Sequence, residues 1–410
     1  MLKFLFLFQK FSFKESTIYL DLVRECALAG HEVYVLAGTS EEVDDTVIHD
    51  VDGCHVAYVT LPDQFGCGKI KKGLIQLLIE PRFLHVIYQH FWKKEIDLII
   101  CPTPPITMAG VIAKAKKHYN CKAYLMLKDI FPQNAADLKM MSESSIIFKY
   151  FKFIEKKLYS TCEFIGCMSE ANVEYMKKHN PAFSDRLEVF PNTVSIKNTD
   201  SDPQMGVKSS AAVESSASGG SKDKVRFIIG GNLGQPQALD FILDGISALD
   251  KEGFTDAYFT IIGKGTMAQY VEDRIRDEKL SNAVYMSHLG RDEYEKMLDE
   301  QDVGILSLCS NFTIPNFPSR LLSYMQKSKP ILAVTDKVTD IGKVITKDAR
   351  CGYFTPSDDL KGFVDTVKKI CNEKEELPAL GRRGREFLIK NYDVKLSVKL
   401  LERSMFSNQT

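Results

Sequence analysis

Short apolar runs alternate with helix-length amphipathic segments along almost the whole chain, and the alternation occurs in two successive series. This rhythm limits the possible folds more than any other feature. Runs such as LKFLFLF, GHEVYVLAG, CHVAYVT, IDLIICPTPP, CKAYLMLKD, EFIGCMS and RLEVFPNT have strand length. Most are separated by segments with apolar residues three or four positions apart, as at Ile18, Leu22, Cys26 and Ala29. Strands joined through helices run parallel, because a crossover must carry the chain back to the starting edge. The expected class is therefore α/β, with doubly wound parallel sheets covered by helices on both faces.

Around Asp200–Lys224 the texture changes to SDPQMGVKSSAAVESSASGGSKDK. Such a tract has too few large apolar residues to build a core, and reads as a flexible linker or surface loop. The strand–helix rhythm resumes at VRFIIGGN, and 410 residues are more than one ordinary core needs. The expected division is a Rossmann-like domain over 1–195, a linker over 196–224 and a second Rossmann-like domain over 225–390. A final helix over 391–410 is expected to pack back toward the first domain.

Composition narrows the function classes. With 53 basic and 54 acidic residues the net charge is −1, which argues against a dedicated nucleic-acid binder. Ten cysteines form neither a CxxC pair nor a Cys/His cluster, so free buried thiols are expected rather than a zinc or redox centre. Buried free thiols fit a reducing compartment. No metal-ligand set is evident. The opening MLKFLFLFQKF has a short apolar core broken by Gln9 and Lys10, and reads as a buried first strand rather than a signal peptide. No apolar stretch approaches the roughly 20 residues a spanning helix needs, so a cytoplasmic location is expected, with room for a peripheral place at the inner membrane face.

Several stretches carry chemistry. FIIGGNLGQPQALDF is a strand, a Gly-rich turn and a helix start, where Gly230, Gly231 and Gly234 let a ligand approach the backbone and helix N–H groups face an anion. An ordinary tight turn is the alternative. TIIGKGTM repeats the theme at Gly263 and Gly265, with Lys264 either adding charge or simply solvated. In NFPSRLLSYM, Ser319 is placed to cap a helix; Leu321, Leu322 and Met325 share one side, and Ser319, Arg320 and Ser323 the other. A Ser-Arg pair there suits a diphosphate. MLKDIFPQNAADL sets Asp129 just beyond a strand of the first domain, able to orient a hydroxyl, take a proton or cap a turn, with Lys128, Gln133, Asn134 and Asp137 as polar neighbours. The basic, aromatic segment from Lys69 to Lys94 contains the sole tryptophan, Trp92. It reads either as a membrane-surface contact or as two core helices divided at Pro81.

Taken in order, CALAGHEVYVL, CPTPPITMAG, LKDIFPQNAADL, FIGCMSEAN, VFPNTV, GGNLG, IIGKG, HLGR and FPSRLLSYMQKSKPILA resemble the retaining glycosyltransferases of family 4, which have the GT-B fold. The branch most similar builds capsules and O-antigens with N-acetylated amino sugars such as N-acetylfucosamine. The resemblance implies two Rossmann-like domains facing a cleft, a nucleotide-sugar donor (UDP-linked) in the second domain and a lipid-linked glycan acceptor. It implies no bound metal and no other cofactor. By position, Asn232 and Gly234 would line the donor crevice, Gly263 and Leu289 would lie near the base, and Ser319 with Arg320 would meet the diphosphate, with Lys264 a further donor-binding candidate. Asp129 would face sugar and acceptor from the first domain.

Three departures stand out. FQKFSFKES replaces the family's first Gly-rich loop, and no basic residue follows GGNLG, where Gln235 and Gln237 stand instead. The paired glutamates of the family would fall on Pro315 and Ser323, so Asn316, Ser323 or backbone groups are left to recognise ribose and sugar. Two rivals remain at the level of sequence: a nucleotide-sugar epimerase or hydrolase on the same fold, and a binding subunit that has lost catalysis.

Overall fold

The computed structural model describes residues 1–14, 17–44, 47–62, 69–196 and 224–406, excluding the side chains of 69–77 and of residue 291. The linker expected over 196–224 lies outside the described residues except at its two ends.

Two sheets organise the chain. The first contains β1 (Lys3–Phe8), β2 (Glu32–Thr39), β3 (Ile48–Val51), β4 (Cys54–Thr60), β5 (Leu98–Pro102), β6 (Lys122–Leu127), β7 (Phe164–Cys167) and β8 (Leu187–Val189), in the order β3-β4-β2-β1-β5-β6-β7-β8. All its pairings are parallel except β3 with β4. Phe4 to Phe8 are buried, as the reading of the opening run as a strand requires. The second sheet contains β9 (Val225–Asn232), β10 (Ala257–Lys264), β11 (Ala283–Met286), β12 (Val303–Ser307), β13 (Ile331–Thr335) and β14 (Gly352–Pro356), ordered β11-β10-β9-β12-β13-β14 and wholly parallel. Near-continuous burial of β5, β12 and β13 is what a parallel strand covered on both faces demands. The α/β architecture of two parallel-sheet units is thus confirmed, while the short β3 and the strand β14 are additions to the sequence reading.

One expected break is not a break. Pro81 lies inside a continuous helix, Lys69–Val86, which passes into a single wide turn, Ile87–Phe91. Packing holds it together. Ile79, Phe83, Val86, Ile87 and Phe91 are fully buried against the first sheet, and this burial outweighs the lost backbone bond. Trp92 stacks on His118 with ring centroids 3.2 Å apart. The described apolar side chains of this segment therefore belong mainly to the core.

The helix Val394–Phe406 lies against the helix Ile18–Leu28 of the first unit, with Val394, Val398 and Leu401 in that unit's core. His31 and Glu402 meet across this contact at 3.1 Å. The nine described cysteines are all unbridged. Among the described residues no helix is long and apolar enough to cross a membrane, and no group of three His, Cys, Asp or Glu is placed to hold a metal ion.

Candidate active site

In the second sheet β9 is flanked by β10 on one side and β12 on the other, so the strand order reverses there. A crevice opens outside the C-terminal ends of the strands at such a point. The β9–β10 register sets Gly231 opposite Gly263 and Asn232 opposite Lys264, so both Gly-rich turns meet at this edge. Their closeness is structural. A methyl group at Gly263 would overlap the Gly231 carbonyl, and Gly231 itself has φ of 113°.

Arg320 comes to the same place. Its Nη2 lies 3.0 Å from where a Gly231 Cβ would stand, so the guanidinium covers the turn. Tyr294 lies over Gly230 and bonds to Tyr324, whose hydroxyl donates to the Ile305 carbonyl at 3.2 Å. Burial raises both phenols above their ordinary range, and the Arg320 charge opposes that rise. The two tyrosines thus stand near enough to Arg320 to feel its charge. Tyr294 belonged to no motif read from sequence, and Tyr324, although it stands in NFPSRLLSYM, was given no role there.

The helix after NFPS is short, Arg320–Gln326. Leu321, Leu322, Tyr324 and Met325 are buried on one side, while Ser319 and Ser323 are exposed on the other, as the spacing predicts. Ser319 is not a cap. It has helical angles, φ −64° and ψ −17°, and its hydroxyl makes no capping bond, because a cap needs extended backbone. The group at this spot suited to an anion is the Arg320 charge rather than a capped helix end. At the other turn, the Gly234 N–H donates to Gln237 Oε1 at 2.9 Å, so one amide expected to face an anion is already engaged. Asn232 and Lys264 are exposed beside it, and Leu289 is half-buried against the core.

Across the seam, Asp129 follows β6. Thr103 positions this loop, its Oγ1 accepting from the Lys128 and Asp129 amides at 3.0 and 3.1 Å. Asn134 Nδ2 donates to both Asp129 oxygens, at 2.7 and 2.6 Å. Loss of hydration nevertheless pushes the Asp129 carboxyl up to about 6, against the bonds from Ile130 and Asn134 that favour its charge. Burial also pushes Lys128 down to about 7, with its ammonium donating to the Phe190 and Pro191 carbonyls at 3.0 and 3.3 Å. Asp129 therefore has the more open role of the two.

The remaining acid of that motif does something else. Asp137 reaches across and accepts from the Thr313 N–H at 2.7 Å and the Thr313 hydroxyl at 2.9 Å. Asn172 donates to the Pro315 carbonyl, and Asn192 to the Phe317 carbonyl at 2.9 Å. The stretch from Thr313 to Phe317 is thus pinned to the first unit by three of its side chains. Pro315 is buried in this seam. Asn316 is also engaged, its carbonyl accepting from the Thr339 hydroxyl at 2.7 Å. The C-terminal edges of the two sheets consequently face each other, with Asp129 on one side and Arg320 with the Gly-rich turns on the other.

Residues 213–387 match the family described as glycosyl transferases group 1. A probable glycosyltransferase of Pseudomonas aeruginosa, WbjE, is 22% identical over 330 residues, covering 80% of this chain and 79% of that protein. Among solved structures, a sucrose-phosphate synthase from Thermosynechococcus elongatus superposes with a TM-score of 0.72 at 12% identity, over 99% of both chains. Anabaena HepE in complex with UDP superposes with a TM-score of 0.65 at 13% identity, over 99% of this chain and 100% of that one. Fold and matched domain together define a glycosyltransferase of GT-B architecture. The stretch that matches the group 1 family spans the second sheet, β9 to β14.

Proposed function

We propose that this chain is a retaining glycosyltransferase that moves an N-acetylated amino sugar from UDP to a polyprenyl-diphosphate-linked glycan, in capsule, O-antigen or related cell-surface polysaccharide synthesis. The observation that carries the reading is the Arg320 guanidinium held over Gly231 at the switch point of the second sheet. A diphosphate there meets a fixed cation and close backbone. Asn232, Gly234, Gly263 and Lys264 line the crevice, Leu289 lies toward the base, and Ser319 adds a hydroxyl to the phosphates. Asn316 and Ser323 take over sugar and ribose recognition where the family's acids are missing. The UDP complex of the Anabaena protein supports the choice of nucleotide.

In this reading the acceptor hydroxyl attacks from the face the leaving group departs, and the departing phosphate takes its proton. Asp129, mostly ionised at neutral pH although its carboxyl titrates near 6, orients the acceptor or the sugar and stabilises positive charge developing at the sugar carbon. No resident metal takes part, and the protein works on the cytoplasmic side of the membrane. The test is a donor screen with purified protein, reading nucleotide release with and without lipid-linked acceptors. Acceptor-dependent release from a UDP-amino sugar supports the proposal. Release that ignores the acceptor would make the protein a hydrolase, and no thermal shift with any nucleotide would make it a non-catalytic subunit.

A further inference from the structure

The helix Ile146–Thr161 buries Phe148, Glu155, Leu158 and Tyr159 against the first unit. Its other side is apolar too. Ile146 is 85% exposed, Ile147 60%, Tyr150 51% and Phe153 65%. Steps of four, three and four residues set Ile146, Tyr150, Phe153 and Lys157 in one line along the helix. Single exposed apolar residues mean little, but a contiguous stripe of them marks an interaction surface.

Charge selects the partner. Lys149, Lys156 and Lys157 are exposed on the same helix. Its one acid, Glu155, is fully buried, paired with Lys152 at 2.6 Å and accepting from the Tyr159 hydroxyl at 2.8 Å. The outer face thus offers apolar and cationic groups with no carboxylate. A surface that is hydrocarbon beneath and anionic at its rim fits that pattern, and a bilayer containing acidic lipids is such a surface. Position agrees. A crossover helix runs antiparallel to its strands, so its first turns lie at the sheet edge that carries Asp129. Phe131, two residues beyond Asp129, packs edge-on against Phe151 of this helix with centroids 5.0 Å apart.

We propose that the exposed face of Ile146–Thr161 is a docking surface for an anionic membrane, seating the cleft's first-domain side on the bilayer. The inference does not depend on which sugar is transferred, and is measured without turnover. The full-length protein is sedimented with vesicles of phosphatidylcholine alone, or with about 30% phosphatidylglycerol added. The same is done for Tyr150→Ser/Phe153→Ser and for Lys149→Glu/Lys156→Glu/Lys157→Glu. Binding is expected only to the anionic vesicles, and to fall steeply between about 0.05 and 0.5 M salt. The aromatic variant should bind at least about tenfold more weakly, and the lysine variant more than about a hundredfold more weakly, since losing each lysine charge is worth roughly fivefold and each new glutamate adds repulsion. All substituted side chains except the partly exposed Tyr150 face mainly solvent, so melting temperatures should match wild type; if the double variant melts early, Phe153→Ser alone carries the test. Equal or absent binding to the two vesicle types would overturn the proposal, as would unchanged binding by the variants. So would a wild-type dimer that the aromatic substitutions dissociate, which would assign the face to a second copy.

Discussion

Asp129→Asn replaces one carboxylate oxygen with an amide nitrogen and removes a charge from a desolvated site. Its effect on stability follows from the titration of the group. Raising the carboxyl from its ordinary 3.8 to about 6 costs the ionised form about 3 kcal/mol. The folded state binds this proton more tightly than the unfolded chain does. The stabilising contribution is therefore complete below about pH 4, and is lost as pH rises through about 6. Asp129 keeps some contact with solvent, which trims the recoverable part to about 1–2 kcal/mol. Hydrogen bonding need not suffer. Asn134 Nδ2, which donates to both oxygens, keeps one of them, and a turn of the Asn134 amide brings its Oδ1, buried without a partner, to accept from the new nitrogen. Thermal melts from pH 4 to 8 test this. The variant should melt about 2–6 °C above wild type at pH 8, and level with it near pH 4. Transfer activity should fall by about a hundredfold or more above about pH 6, with the gap narrowing below it as the wild-type carboxyl takes up its proton. A variant no more stable than wild type at pH 8, or one whose advantage did not change with pH, would refute the desolvation argument. Full activity at wild-type donor affinity would remove Asp129 from the reaction.

Arg320→Ala should weaken UDP binding by at least about tenfold while Arg320→Lys recovers part of it, since the fork geometry adds to the charge; calorimetric titration reads both, and unchanged affinity would place the diphosphate elsewhere. Asp137→Ala leaves the Thr313 amide and hydroxyl unsatisfied across the seam. A loss of about 1–3 kcal/mol is expected, with a lower or split calorimetric transition. Gly263→Ala forces the Gly-rich turns apart, and should cost both melting temperature and UDP binding, whereas Gly253→Ala, where a methyl has open space, should leave UDP binding intact. Exhaustive chelation should leave transfer unchanged if no metal is resident; a rate restored by a divalent cation would contradict that part of the proposal.

The two sheets were legible because parallel strands buried on both faces must be written as uninterrupted apolar runs, and their helices as amphipathic segments between them. LKFLFLF and KPILAV could hardly be anything else. The short β3 escaped because His49 and Asp50 are exposed at the sheet edge, where no burial enforces a pattern. Pro81 misled for the opposite reason: local chemistry argued for a break, and core packing overrode it. At the site, the Gly-rich turns and the outward face of Arg320 could be read locally, since each depends on spacing within one element. The partners that hold them could not. Tyr294 reaches Gly230 from a different helix, and Asp137 meets Thr313 at 176 positions' separation.

That separation changes the meaning of the missing acids. Read along the chain, Pro315 and Ser323 looked like two vacancies in one sugar-binding pair. In space they part company. Pro315 is buried in the seam with its carbonyl held by Asn172, 143 positions away, and a carboxylate there would be desolvated beside a donor aimed at the backbone. Ser323 stands exposed one helical turn from Arg320. Only the second position is open to a ligand. Restoring an acid should therefore be tolerated at Ser323, and be destructive at Pro315. The seam occupies the first position with contacts that join the two sheets' units, and under the proposed function donor recognition falls to Arg320 and the exposed groups around it.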